Sequence, residues 1–192
     1  MKFNSFSAFL LLTIFLLSSC SEPKNIKLEG ILNCNGAGEI LIGSSIEKTI
    51  SQIQNVEIKP IHSQGYSIYK ENNEIINIWS KHQDSKIGFI KVLSPNYKSE
   101  KGLHVGQDVE DIKKIYPNIK LILDETNGEF YIAPKDLQFF DDESPVRLCF
   151  FYVEIDEDGN NIDFVLNESK NALEADLNVS GKIKSVLIFE WK

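Results

Sequence analysis

The sequence predicts an α+β fold of two tandem modules, each a short helix followed by about four antiparallel strands. Residues 38–58 (GEILIGSSIEKTISQIQNVEI) and 101–121 (KGLHVGQDVEDIKKIYPNIKL) read as two copies of one segment. With Gly43 placed on Gly106, residues Ile40, Ile42, Ile46, Asn55, Val56 and Ile58 fall on Leu103, Val105, Val109, Asn118, Ile119 and Leu121 without a gap. A repeat of this kind is one supersecondary unit used twice. Within each copy apolar residues recur at helical spacing, and downstream the period shortens to two, the mark of strands.

The chain opens with an apolar run over residues 9–17, the length of a signal h-region and too short for a permanent membrane span. It ends in Leu17-Ser18-Ser19-Cys20, which resembles a bacterial lipobox: a large aliphatic residue, two small ones, then the cysteine that is lipidated. Residues 1–19 are thus expected to be a lipoprotein signal peptide and Cys20 the lipidation site. At about 0.8 kcal/mol per buried methylene, two or three acyl chains hold a protein on a membrane without spanning it. Ser21, where Asp would favour retention, points to the outer membrane. The expected location is the cell envelope, and the covalent lipid at Cys20 takes the place of any cofactor.

Residues 20–27 contain Pro23 and no periodic pattern and read as a lipidated tether. Repeat 1 then occupies 28–97 and repeat 2 occupies 98–192. A first strand over 28–33 closes on Asn35-Gly36-Ala37-Gly38, whose glycines suit a turn; without a following lysine they do not make a phosphate loop. Ser44 with Glu47 forms a capping-box signature for a helix whose stripe is Ile46, Ile50 and Ile53. In the second copy Asp108 is the expected N-cap, Val109, Ile112 and Tyr116 form the stripe, and Pro117 ends the helix. Strands follow at 56–58, 66–70, 76–80 and 87–93, with Asn72-Asn73 at a hairpin turn. Repeat 2 repeats the scheme at 119–123, 129–133, 147–154 and 182–191, with Asn127-Gly128 at a turn. Repeat 2 is longer, with acidic inserts around 135–145 and 156–181.

The formal charge of −8 argues against nucleic acid and against an electrostatic grip on anionic lipid. Of the three cysteines, Cys34 lies in repeat 1 and Cys149 in repeat 2. The sequence allows two readings of them: a disulfide between the modules, or two buried thiols.

No set of residues reads as catalytic. His62, His82 and His104 are scattered without metal-type spacing, and no nucleophile elbow is present. His104, out of phase with Leu103 and Val105, is expected at solvent or a sheet edge. Residues 156–163 (DEDGNNID) resemble a calcium loop, with Asp156, Asp158, Asn160 and Asp163 as the candidate ligands. Aligning Gly159 with the loop glycine puts Glu154 at the first position and Val165 where the bidentate Glu belongs, so no metal is assigned and a solvated acidic turn is the preferred reading. Asp141-Asp142-Glu143 in the other insert would add to an acidic rim suited to a basic protein surface. Phe139, Phe140, Phe150, Phe151 and Tyr152 flank this region. Adjacent strand residues face opposite ways, so some belong to the core or intermodule packing and others to an outer patch.

The order of features resembles the RpoE-regulated lipoproteins of unknown function. Those features are the lipobox, a strand ending in Ser94-Pro95, the segment 102–111 (GLHVGQDVED), and a terminal strand with Ile183, Val186, Ile188 and Trp191. A looser architectural likeness extends to β-lactamase inhibitory proteins and the small outer-membrane assembly lipoproteins. The resemblance implies an envelope lipoprotein with a binding or structural role and no enzymatic one. The expected function is a membrane-anchored module that binds another envelope protein; the alternative is a ligand- or calcium-binding lipoprotein using the acidic loops.

Overall fold

Isoleucine-rich alternation decides the architecture, because a strand with one apolar face must lie in a sheet with a covered side. The computed structural model describes residues 25–62, 65–81, 84–125, 127–132, 146–155, 162, 165–167 and 172–191. Its elements are β1 (Gly30–Asn33), β2 (Gly36–Ala37), β3 (Ile40–Leu41), α1 (Ile46–Ser51), β4 (Glu57–Ile61), β5 (Gly65–Lys70), β6 (Asn73–Ser80), β7 (Ile87–Val92) and β8 (Tyr97–Lys98). There follow α2 (Val109–Ile115), β9 (Lys120–Asp124), β10 (Glu129–Ile132), β11 (Val146–Ile155), β12 (Val165–Asn167), β13 (Ala172–Asp176) and β14 (Gly181–Trp191).

The expected α+β plan of two helix-plus-four-strand modules is corrected: the described chain is mostly β. Its two helices have only 6 and 7 residues. One ten-stranded sheet runs in the order β12-β13-β9-β10-β11-β14-β7-β6-β5-β4, and a four-stranded sheet in the order β3-β2-β1-β8. The physical reason is that the period-two signal outweighs the helical stripes. Single stripes of three apolar residues support one or two turns of helix and no more, whereas the alternating segments pair into a sheet that passes through β7 and β14 without a break. The strands β12 and β13, and the parallel pairing of β1 with β8, also lie outside the module plan.

The quoted glycines nonetheless occupy matching places. Gly43 and Gly106 both have φ of 84°, a left-handed conformation that suits glycine. The N–H of Gly43 donates to the Ile87 carbonyl at 2.7 Å, and that of Gly106 to the Ile183 carbonyl at 2.8 Å. Ser45 and Asp108, each an N-cap, form isolated bridges to Lys86 and Lys182. Each helix is thus hung from the start of a long central strand. Ser45, one residue later than expected, caps α1 by accepting from the Lys48 N–H. The β5–β6 turn is likewise at Glu71-Asn72, both with positive φ, one residue earlier than expected.

The core lies on one face of the large sheet. Ile76, Ile78, Ile90, Val92, Cys149, Phe151, Val186 and Ile188 point to it and are fully buried. They are covered by Ile46 and Ile53 of the α1 region, Val109 and Ile112 of α2, and Leu32, Ala37 and Ile40 of the small sheet. Each fully buried isoleucine contributes roughly 1.5–3 kcal/mol. No helix among the described residues is long and apolar enough to cross a membrane.

Candidate interaction face

The opposite face of the large sheet carries the most unusual side chains. Trp79, Phe89, Phe150, Tyr152 and Phe189 alternate with the core residues on their strands, and Tyr131 with Ile132, so all six point away from the core. Register then aligns them: Trp79 pairs with Phe89, Phe89 with Phe189, and Tyr131 with Tyr152. The rings touch in an unbroken chain. Trp79 stacks on Phe89 at 5.4 Å with planes 7° apart, and Phe89 on Phe189 at 5.8 Å. Phe189 meets Phe150 edge-on at 5.4 Å, Phe150 meets Tyr131 at 4.5 Å, and Tyr131 meets Tyr152 at 5.8 Å. Such pairs contribute about 0.5–1.5 kcal/mol each beyond the area they bury.

The row crosses five adjacent strands, β6, β7, β14, β11 and β10. Trp79, Phe89, Phe150 and Tyr131 stay half-buried, while Phe189 and Tyr152 are buried by their neighbours. Among the described residues, the elements packed on the sheet bury their apolar side chains on the other face. Phe89 is stacked between Trp79 and Phe189, so its faces are occupied and its edge is left for a partner. That geometry suits an apolar protein surface better than a sugar ring, which needs an open aromatic face.

One end of the row is acidic. The Tyr152 hydroxyl donates to Asp124 Oδ2 at 3.2 Å, and burial followed by the Asp124 charge holds it protonated well above the ordinary tyrosine range. Burial, Asp124 and Glu174 likewise raise Tyr131. Beside them Glu129 Oε1 accepts from Lys184 Nζ at 2.8 Å, a bond that raises the lysine. Nearer the aromatic centre Lys91 lies between Asn77 and Leu187 in register on the same face.

The residues singled out in the sequence are dispersed. Cys20, His82, Phe139, Phe140, the acidic group 141–143 and the calcium candidates Asp156, Asp158, Asn160 and Asp163 lie outside the described residues. Among the described residues no cluster of His, Cys, Asp and Glu suits a metal ion. Phe150 and Tyr152 face outward and Phe151 faces the core. His104, expected at solvent or a sheet edge, is half-buried, and its Nδ1 is enclosed without a hydrogen-bond partner among the described residues. Cys34 and Cys149 come together: both are buried thiols, and their side chains are hydrogen-bonded. An open cleft of about 250 Å³ lies between the end of α2 and β13. Its two lysines are already engaged, Lys113 with Asn178 and Lys120 with Asp176.

The aromatic row itself was missed in the sequence. Its signal is present as aromatics out of phase with isoleucines on β6, β7 and β14, but the register that aligns them is not local.

No family model and no curated protein matches the chain. Among solved structures it is similar to that of the uncharacterized protein yfeY from Escherichia coli. The likeness has a TM-score of 0.48 at 10% sequence identity and covers 83% of this chain and 99% of that one.

Proposed function

We propose that the protein is an envelope lipoprotein, anchored through lipid on Cys20 and of the RpoE-regulated lipoprotein kind. In this reading it acts without catalysis by binding another envelope protein on the outer face of its large sheet. The observation that carries the reading is the contiguous aromatic row from Trp79 to Tyr152 on the face opposite the core. Aromatic side chains are the common anchors of protein interfaces, since each offers a large area at little conformational cost. The charge distribution favours a partner with an apolar surface to meet the rings and basic groups toward Asp124 and Glu174 at the tyrosine end. A chain with a net charge of −8 also favours a basic partner.

The test is in-cell crosslinking of the tagged full-length protein beside Cys20→Ala and Lys91→Glu versions. The reading predicts one envelope protein captured by the native form and lost from both variants. Equal capture by all three, or by none, contradicts it. Calcium-dependent thermal stabilisation in place of capture would favour a ligand-binding role for the acidic loops.

A further inference from the structure

Cys34 sits in the turn between β1 and β2 of the small sheet, and Cys149 on β11 in the middle of the large one. Their exposures are 1% and 0%, and both belong to the single core cluster. Only the folded topology joins them, since most of the chain lies between them. Two thiols brought into contact from different sheets are placed to do one thing that packing alone does not require.

We propose that Cys34 and Cys149 form a disulfide that fastens the four-stranded sheet to the centre of the ten-stranded sheet. The chemistry needs a disulfide oxidant, such as glutathione disulfide. One cysteine thiolate attacks a sulfur of the oxidant and releases one thiol; the second thiolate then attacks the mixed disulfide and expels the other thiol. Two protons and two electrons leave the protein, and the oxidant is reduced to two thiols. The reaction belongs to folding. Once the sheets close, both sulfurs are shut from solvent and burial holds the Cys149 thiol in its protonated, unreactive form. The same enclosure shields the finished bond from reductants. A bond closing so long a loop restricts the unfolded chain strongly.

The test uses the full chain carrying Cys20→Ala, which leaves these two as its only cysteines. It is unfolded, refolded in a mixture of reduced glutathione and glutathione disulfide, then alkylated in denaturant and weighed. The expected product is lighter than the dithiol by two hydrogens, refuses alkylation until reduced, and melts roughly 5–10 °C above the reduced form. Two alkylated thiols, or a glutathione adduct with no internal bond, overturn the proposal. A second measurement avoids refolding: the native protein is acid-trapped from intact cells and alkylated. Alkylation of Cys34 and Cys149 only after reductant supports the bond, and alkylation without it contradicts the bond.

Discussion

Trp79 lies against Gly65: the two pair in register across β5 and β6, and a Cβ on Gly65 would stand 2.6 Å from the Trp79 Cβ. The missing side chain leaves room for the Trp79 Cβ, the Ile78 carbonyl and the Ile61 side chain, all within 3.0 Å of where a Cβ would stand. Gly65→Ala is therefore expected to displace Trp79 and cost about 1–3 kcal/mol. Urea unfolding followed by tryptophan fluorescence measures both effects, and an unchanged midpoint would refute this account of the contact.

Gly43 and Gly106 support a matched pair of predictions. Both have the same positive φ and, among the described residues, nothing within 4 Å of an added Cβ, so substitution meets backbone strain alone. Gly43→Ala and Gly106→Ala should each destabilise by about 1 kcal/mol. Similar shifts in thermal midpoint would show that the two helix entries do equivalent work.

Tyr97 is fully buried, and its hydroxyl has no hydrogen-bond partner among the described residues. A buried hydroxyl without a partner loses its hydration with no return. Tyr97→Phe should leave stability unchanged or raise it by up to about 1 kcal/mol, measured by the urea midpoint at neutral pH. A loss above that size would mean the hydroxyl is bonded.

The same residue sets an alkaline limit. Burial, with Glu29 nearby, raises the Tyr97 hydroxyl above its ordinary value of 10.0, and burial with Asp124 raises Tyr152. Below about pH 10 these tyrosines are protonated in both the folded and unfolded chains, and their contribution is constant. Above it the unfolded chain ionises while the folded protein holds its protons, so stability falls as pH rises. Thermal midpoints of Tyr97→Phe and the native chain should therefore diverge above pH 10, with the variant losing less.

Much of the strand content was legible because alternation is a local signal: Ile76 with Ile78 and Ile90 with Val92 place their strands and their buried face. The Asp108 cap and the stop at Pro117 were legible for the same reason. The fold class was not. Short helices were expected at Ile46 and Val109 and are there, but at 6 and 7 residues they are too small a share of a chain dominated by a ten-stranded sheet to make the fold α+β. The parallel meeting of β1 with β8, the contact of Cys34 with Cys149 and the row from Trp79 to Tyr152 depend on register between distant strands, which no local pattern states. Ser44 and Ser45 show the limit of a capping motif: Ser44 has Glu47 three residues on and fits the letters, yet the backbone makes Ser45 the cap, with Lys48 in that place.

A photo-crosslinking residue placed at Lys91 tests the binding role of the outer sheet face most directly. Lys91 stands among the aromatics on β7, while Lys114, its control, projects from α2 with its side chain 75% exposed. In intact cells, position 91 should capture one defined envelope protein that position 114 does not, and Trp79→Ala should abolish that product while the protein stays folded by circular dichroism. The same products from both positions, or none from position 91, would contradict a binding role for this face.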